Sequence, residues 1–238
     1  MIAPRYLDVR YSEQERPLTD YPGQLCAYLS ETYLSHHQRG QLMDLGCGRG
    51  EFLRGFADLG FSSFGVDRER VQASDHPEIR ICDIESEPLP VGDDSLDVIF
   101  NKSVLEHMRD ITPLLSECQR VLRPGGTMIS LVPCFNAQWS HFFDDWTHVR
   151  PFTLTGLSQC LQSHGFGIVE ARRFRQLPLL WKRPYLRPLS DAASVLPDAL
   201  KHFKWVRFSK EWMLLAVAQK PTAHTQTSAD AQATASAK

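Results

Sequence analysis

The stretch Leu42-Met43-Asp44-Leu45-Gly46-Cys47-Gly48-Arg49-Gly50-Glu51-Phe52 constrains the fold more than any other part of the chain. An apolar segment runs into glycine at every second position, and an amphipathic segment follows. A parallel strand entering a helix through backbone that approaches a ligand closely has this form, because glycine adopts positive φ and has no Cβ to hold a ligand away. The N–H groups that open the next helix then favour a negatively charged ligand group. The nicotinamide-dinucleotide fingerprint is G-x-G-x-x-G, whereas here Glu51 stands where that pattern has its third glycine.

Length and composition fit this reading. A chain of 238 residues suits one α/β domain with a decorated core, and 42% hydrophobic residues with a net charge of −2 are those of a globular protein. No apolar run approaches the roughly 20 residues of a membrane span. Met1 to Tyr6 offer no apolar signal-peptide region, and six scattered cysteines without a C-x-x-C pair argue against a zinc site or disulfide framework. A cytoplasmic protein with reduced thiols is expected. Charge is unevenly placed: residues 171–220 carry eleven Lys/Arg against three acids, residues 1–170 fourteen against twenty-four. Either an anionic partner or a solvated basic face fits that separation.

Along the chain, residues 1–40 read as an extended arm and then a helix from Asp20, with Pro22 in its first turn, to about Ser35. After the glycine turn, Phe52, Leu53, Phe56 and Leu59 repeat at helical spacing and Gly60 ends the helix. Strands are expected at 61–66, 79–81, 96–100 and 127–132, that at 96–100 buried on both faces by its near-continuous apolar character. Thr112-Pro113 starts a helix that presents Leu114, Leu115, Cys118, Val121 and Leu122. A long loop from Pro133 to Phe152 precedes a helix over 155–164 and strands at 167–172 and 212–218. Between those strands lies a Pro-, Arg-, Lys- and aromatic-rich insertion at about 174–210, and residues 221–238 read as a disordered tail. Residues 41–220 are expected to form the main domain.

Asp67, ending the second strand about 20 residues past the glycines, is placed to accept hydrogen bonds from two ribose hydroxyls. The glycine turn resembles motif I of class I S-adenosylmethionine (SAM)-dependent methyltransferases, D-x-G-x-G-x-G. Asp83 after the third strand, Asn101 after the fourth and the Leu122-Arg123-Pro124-Gly125-Gly126 ending follow in that family's order. The chain is identified as a member of the family, of the small-molecule type similar to methyltransferase 11. The resemblance implies a Rossmann-like α/β fold, a doubly wound seven-stranded sheet, mostly parallel with the last strand antiparallel. It implies SAM as cofactor, bound through Asp44, Gly46, Cys47, Gly48, Gly50, Asp67, Arg68, Asp83, Ile84 and Asn101.

Methyl transfer to a hydroxyl needs the acceptor aligned and its proton removed. The loop Ser140 to Thr153 follows the fifth strand, whose C-terminal end borders the ligand crevice in open α/β sheets. His148 is the candidate general base, with Asp145 able to orient its imidazole. The Thr147-His148-Val149-Arg150-Pro151-Phe152-Thr153 run looks like a T-H-x-R-x-F-T element of similar methyltransferases, in which the histidine is structural or touches the acceptor. His107, His141 and Arg150 are expected on the substrate side. His141, Asp144, Asp145 and His148 form an H-x-x-D-D-x-x-H run, but on a loop that spacing fixes no ligand geometry, and no metal is expected. Cys134 lacks the Pro-Cys partner after the fourth strand that cytosine-C5 methyltransferases carry.

The insertion sets Trp181, Tyr185, Phe203, Trp205 and Phe208 among basic residues. An anionic membrane patch, a lid over an anionic acceptor, a nucleic-acid face and an ordinary lid with aromatics packed beneath it all fit. The leading reading is O-methylation of a small molecule or glycan, lipid-linked or not, with nucleic acid not expected and the oligomeric state unknown. The alternatives are an RNA or protein methyltransferase, and a non-catalytic SAM-binding partner subunit.

Overall fold

A computed structural model describes residues 17–37, 40–70, 78–200 and 203–222. Seven strands form one sheet: β1 (Gln41–Leu45), β2 (Ser62–Asp67), β3 (Ile79–Ile81), β4 (Leu96–Lys102), β5 (Leu122–Pro133), β6 (Gly167–Arg175) and β7 (Trp212–Gln219). Their order is β3-β2-β1-β4-β5-β7-β6, with β7 antiparallel to both its neighbours. The chain steps outward from β1 to β3, then returns across the sheet to β4 on the other side of β1. That reversal leaves a crevice at the C-terminal ends of β1 and β4, where open α/β sheets take their ligands.

Alternation along the central strands supplies two cores. Leu42, Val98, Phe100, Ile129 and Leu131 face the helices α1 (Tyr21–Tyr33) and α2 (Glu51–Asp58), where Leu25, Leu29 and Phe56 meet them. Met43, Leu45, Ile99 and Met128 face the other way. They pack on Leu114, Leu115 and Cys118 of α3 (Thr112–Val121) and on Leu157 and Leu161 of a helix at Leu154–Ser163. With both faces covered, the near-continuous apolar runs of β1, β4 and β5 follow.

The elements depart from the sequence expectations at their edges. The first helix begins at Tyr21 with no side-chain cap from Asp20. The expected loop 133–152 contains a single turn, α4 (Phe135–Gln138), and a 3-10 turn at Phe142–Asp144. The helix that follows, α5 (Leu154–Ser163), is capped by Thr153, whose hydroxyl accepts from Gly156 N at 3.1 Å. β6 runs on to Arg175, because Phe174 and Arg175 still pair with Met213 and Trp212. The segment read as an insertion is therefore shorter than expected, and it is helical: α6 (Pro178–Lys182), α7 (Arg187–Ser194) and α8 (Lys204–Lys210). Most of the expected arm and all but the first two residues of the expected tail lie outside the described residues.

One close approach in this frame fixes the glycine turn to the sheet. A Cβ added at Gly65 would stand 2.5 Å from Cys47 Sγ and 3.3 Å from Leu53 Cδ2. Overpacking of this kind costs about 1–3 kcal/mol, so Gly65→Ala is expected to lower the thermal midpoint by roughly 2–10 °C for a chain of this size. Differential scanning calorimetry reads this directly, and an unchanged midpoint would mean that Cys47 turns aside at no cost.

Candidate active site

The turn after β1 is built from three glycines in the left-handed region, Gly46, Gly48 and Gly50, with φ of 65°, 53° and 77°. Gly46 N and Cys47 N both donate to Val66 O, at 2.8 and 3.1 Å, which binds the turn to the end of β2. A Cβ on Gly46 would lie 2.6 Å from Val104 Cγ2, so this position is closed to a side chain by Val104. Asp67 closes the same turn: its Oδ2 accepts from Gly48 N and its Oδ1 from Arg68 N, both at 2.8 Å. Beneath it, Asp44 is buried with its Oδ2 unpartnered. Burial first, and then the neighbouring Asp67, push the Asp44 carboxyl well above the usual carboxylate range.

A cavity of about 1290 Å³ opens at the crevice. Gly46, Asp67, Arg68, Asp83 and Ile84 line one part of it, and His107, His141, Asp145 and His148 another. Gly48, Gly50, Cys47 and Asp44 stand behind the wall as its scaffold. Asn101 does not reach the cavity: it is fully buried and donates from Nδ2 to Ser130 Oγ at 2.9 Å, tying β4 to β5. Arg150 does not line it either. Its Nε donates to Met108 O at 3.3 Å and its Nη2 to Arg109 O, so it clamps the loop to the segment after β4.

The two histidines are held by opposite means. Thr147 donates its hydroxyl to Asp145 Oδ1 at 2.6 Å, and Thr147 N donates to the same oxygen at 3.1 Å. With its single hydrogen so used, the hydroxyl accepts from His107 Nδ1 at 2.8 Å. His148 Nδ1 lies 2.6 Å from Phe142 O, an atom that can only accept. Both neutral rings therefore carry their proton on Nδ1 and their lone pair on Nε2. Asp145 thus orients His107 through Thr147, whereas the sequence pointed to it as the partner of His148. The two imidazoles meet edge to face, 4.7 Å between centroids.

Glu106, which sequence reasoning passed over, completes this group. It is fully buried, and neither carboxylate oxygen has a hydrogen bond of good geometry. Burial pushes its carboxyl up to about 8, with Lys102 and the Ser103 hydroxyl opposing the rise. The available signal was a glutamate inside an otherwise apolar run, Val104-Leu105-Glu106-His107-Met108. His141 instead pairs with Asp144 on the exposed side of the loop, Nδ1 to Oδ2 at 3.2 Å, so the H-x-x-D-D-x-x-H run does not converge.

Three arginines of the basic segment are taken up in ion pairs, one of them buried. Arg175 pairs with Asp191 at 2.7 Å and lies over Trp212. Arg172 reaches Glu170 and Tyr28, and Arg207 pairs with Glu211. Trp181 stacks beneath the segment on Phe174, 5.2 Å between centroids, and donates to Arg175 O. Tyr185 and Phe203 are exposed. No described helix is long and apolar enough to cross a membrane.

A family model described as "Methyltransferase domain" matches residues 18–171. The chain belongs to that family. The glycine cradle and Asp67 and Asp83 on one cavity stand where the sequence resemblance places the SAM site of such domains. Among curated relatives, the chain is 29% identical over 143 residues to a "Probable S-adenosylmethionine-dependent methyltransferase" of Mycolicibacterium smegmatis, covering 57% of this chain and 55% of the relative. It is 28% identical over 134 residues to a ubiquinone biosynthesis O-methyltransferase of Chelativorans, covering 48% and 52%. The methyltransferase chain thus spans about half the length of these relatives. Its fold matches a chain in a complex of the Haloferax volcanii Trm112 methyltransferase activator with a methyltransferase, at a TM-score of 0.67 and 19% identity, covering 92% of this chain and all of that one.

The buried Asp44 makes apo-protein stability depend on pH. Its folded-state carboxyl holds a proton to higher pH than in the unfolded chain, so its contribution is full at low pH and is lost as pH rises through the folded value. Asp44→Asn is therefore expected to gain stability over the parent as pH is raised from about 4 to about 8. Urea midpoints across that range, measured without SAM, test this, and a difference independent of pH would contradict the raised carboxyl.

Proposed function

We propose that this methyltransferase transfers the methyl group to a hydroxyl of a small molecule or glycan carried on an apolar, lipid-linked body. The observation that carries the reading is the pair of imidazoles whose Nε2 lone pairs are set by Nδ1 hydrogen bonds, on the same cavity as Asp67 and Asp83. SAM, when bound, supplies an electrophilic methyl group on sulfur. The histidine centre would align the acceptor hydroxyl with that methyl group and assist loss of the hydroxyl proton. His148 holds the basic nitrogen for this step, with Phe142 O fixing the ring. Asp67 and Asp83 are assigned to the ribose and adenine of the cofactor.

The cavity rim supports an apolar acceptor. Trp146 is 78% exposed at its edge, and Trp139 and Phe143 lie exposed on the same loop. Exposed aromatics at a cavity rim suit an acceptor with an apolar body. The O-methyltransferase named for ubiquinone biosynthesis among the relatives supports the acceptor atom and an apolar acceptor. Pairing of Arg172 and Arg175 within the fold weighs against a nucleic-acid face, whose phosphate contacts need cations turned outward.

Replacing His148 by Ala is expected to lower kcat by about 10²–10⁴-fold, the usual span for a positioned proton acceptor. SAM affinity, measured by calorimetry, should change little because Asp67 and the glycine turn are untouched. Turnover equal to the parent would remove His148 from the chemistry.

A further inference from the structure

Glu106, His107 and His148 bring one carboxylate and two imidazoles together, and their potential ligand atoms all lie within 4.8 Å of one another. We infer that this cluster is a binding site for a single divalent first-row transition ion. The donor set is that of known two-histidine, one-carboxylate centres, which hold a metal on one side and leave further positions open. Here the open side is the cavity, since all three residues line it.

Two independent features prepare the site. Glu106 is fully buried beside the histidines with both oxygens lacking a hydrogen-bond partner of good geometry. A buried carboxyl group without a hydrogen-bond partner is costly, and a cation can take the place of its proton and serve as that partner. Both imidazoles have the tautomer a ligand needs, with Nδ1 donating and Nε2 bearing the lone pair. His107 donates through Thr147 to a carboxylate and His148 to a backbone carbonyl, the outer arrangements that orient metal-bound histidines. Ligand atoms about 2.1 Å from a shared ion stand roughly 3–3.5 Å apart, so binding would draw these side chains together.

This inference deepens the O-methylation reading and rests on it for its purpose. An ion at this site would lower the pKa of an acceptor hydroxyl, a task that His148 would otherwise carry as a base. The metal site itself stands or falls on binding alone.

The test is titration of Co²⁺ into the full chain after chelator treatment, followed by its visible absorption, with Zn²⁺ in competition. One equivalent of Co²⁺ per chain is expected, with uptake abolished in Glu106→Gln and His148→Ala. Thr147→Val, which leaves all three ligands in place but breaks the link to Asp145, should weaken uptake by about 10–100-fold. That variant keeps the test decisive should Glu106→Gln not fold, and SAM binding by calorimetry checks the fold of each. Absence of stoichiometric uptake in the parent overturns the inference, as does undiminished uptake in the folded His148 variant. Full turnover of a small-molecule acceptor by metal-free protein would leave the O-methylation reading standing without the ion. Uptake with methyl transfer only to RNA or protein would leave the site standing without that reading.

Discussion

The hydrogen bonds that fold the glycine turn back onto the end of β2 are the contacts on which the site depends. Gly46 N and Cys47 N share Val66 O, and Gly48 N takes Asp67 Oδ2, so one short segment aligns β1, β2 and the start of α2. Three alternate positive-φ positions are needed to make that path, a backbone that side chains with a Cβ rarely adopt. The same bonds set Asp67 on the cavity wall. Strand order then does the rest, because the return from β3 to β4 opens the crevice beside that aspartate.

A second constraint acts across the cavity. Backbone N–H groups of Val149 and Arg150 both donate to Glu106 O, at 2.9 and 3.0 Å. Arg150 adds side-chain bonds to the carbonyls of Met108 and Arg109. The loop after β5 is thereby sewn to the turn after β4, and His148 is brought to His107 although 41 positions separate them in sequence. Arg150, placed by sequence reasoning among substrate contacts, serves this seam instead.

Much of the framework was legible in the residues because it is written in local patterns. Glycine spacing, apolar runs of strand length and the Thr112-Pro113 helix start each depend on near neighbours, and each stands where expected. Asp67, at the end of β2, and Asp83, just past β3, line the cavity at the strand ends where the sequence set them. Asn101 was misplaced because a strand-end residue can face the crevice or the next strand, and Ser130 decides it from a strand 29 positions later. The role of Asp145 was misread because Thr147, two residues on, takes its carboxylate and passes the link to His107. Glu106 was missed because a lone acid in an apolar run acquires meaning only when the loop carrying His148 folds over it.

Transfer of labelled methyl from SAM into cell extract, fractionated into lipid, soluble small-molecule, glycan, protein and RNA pools, tests the central claim most directly. Label confined to the lipid, glycan or small-molecule pool, and absent when the chain is omitted, is the outcome the histidine centre and its apolar rim require. Label confined to the RNA or protein pool would contradict it.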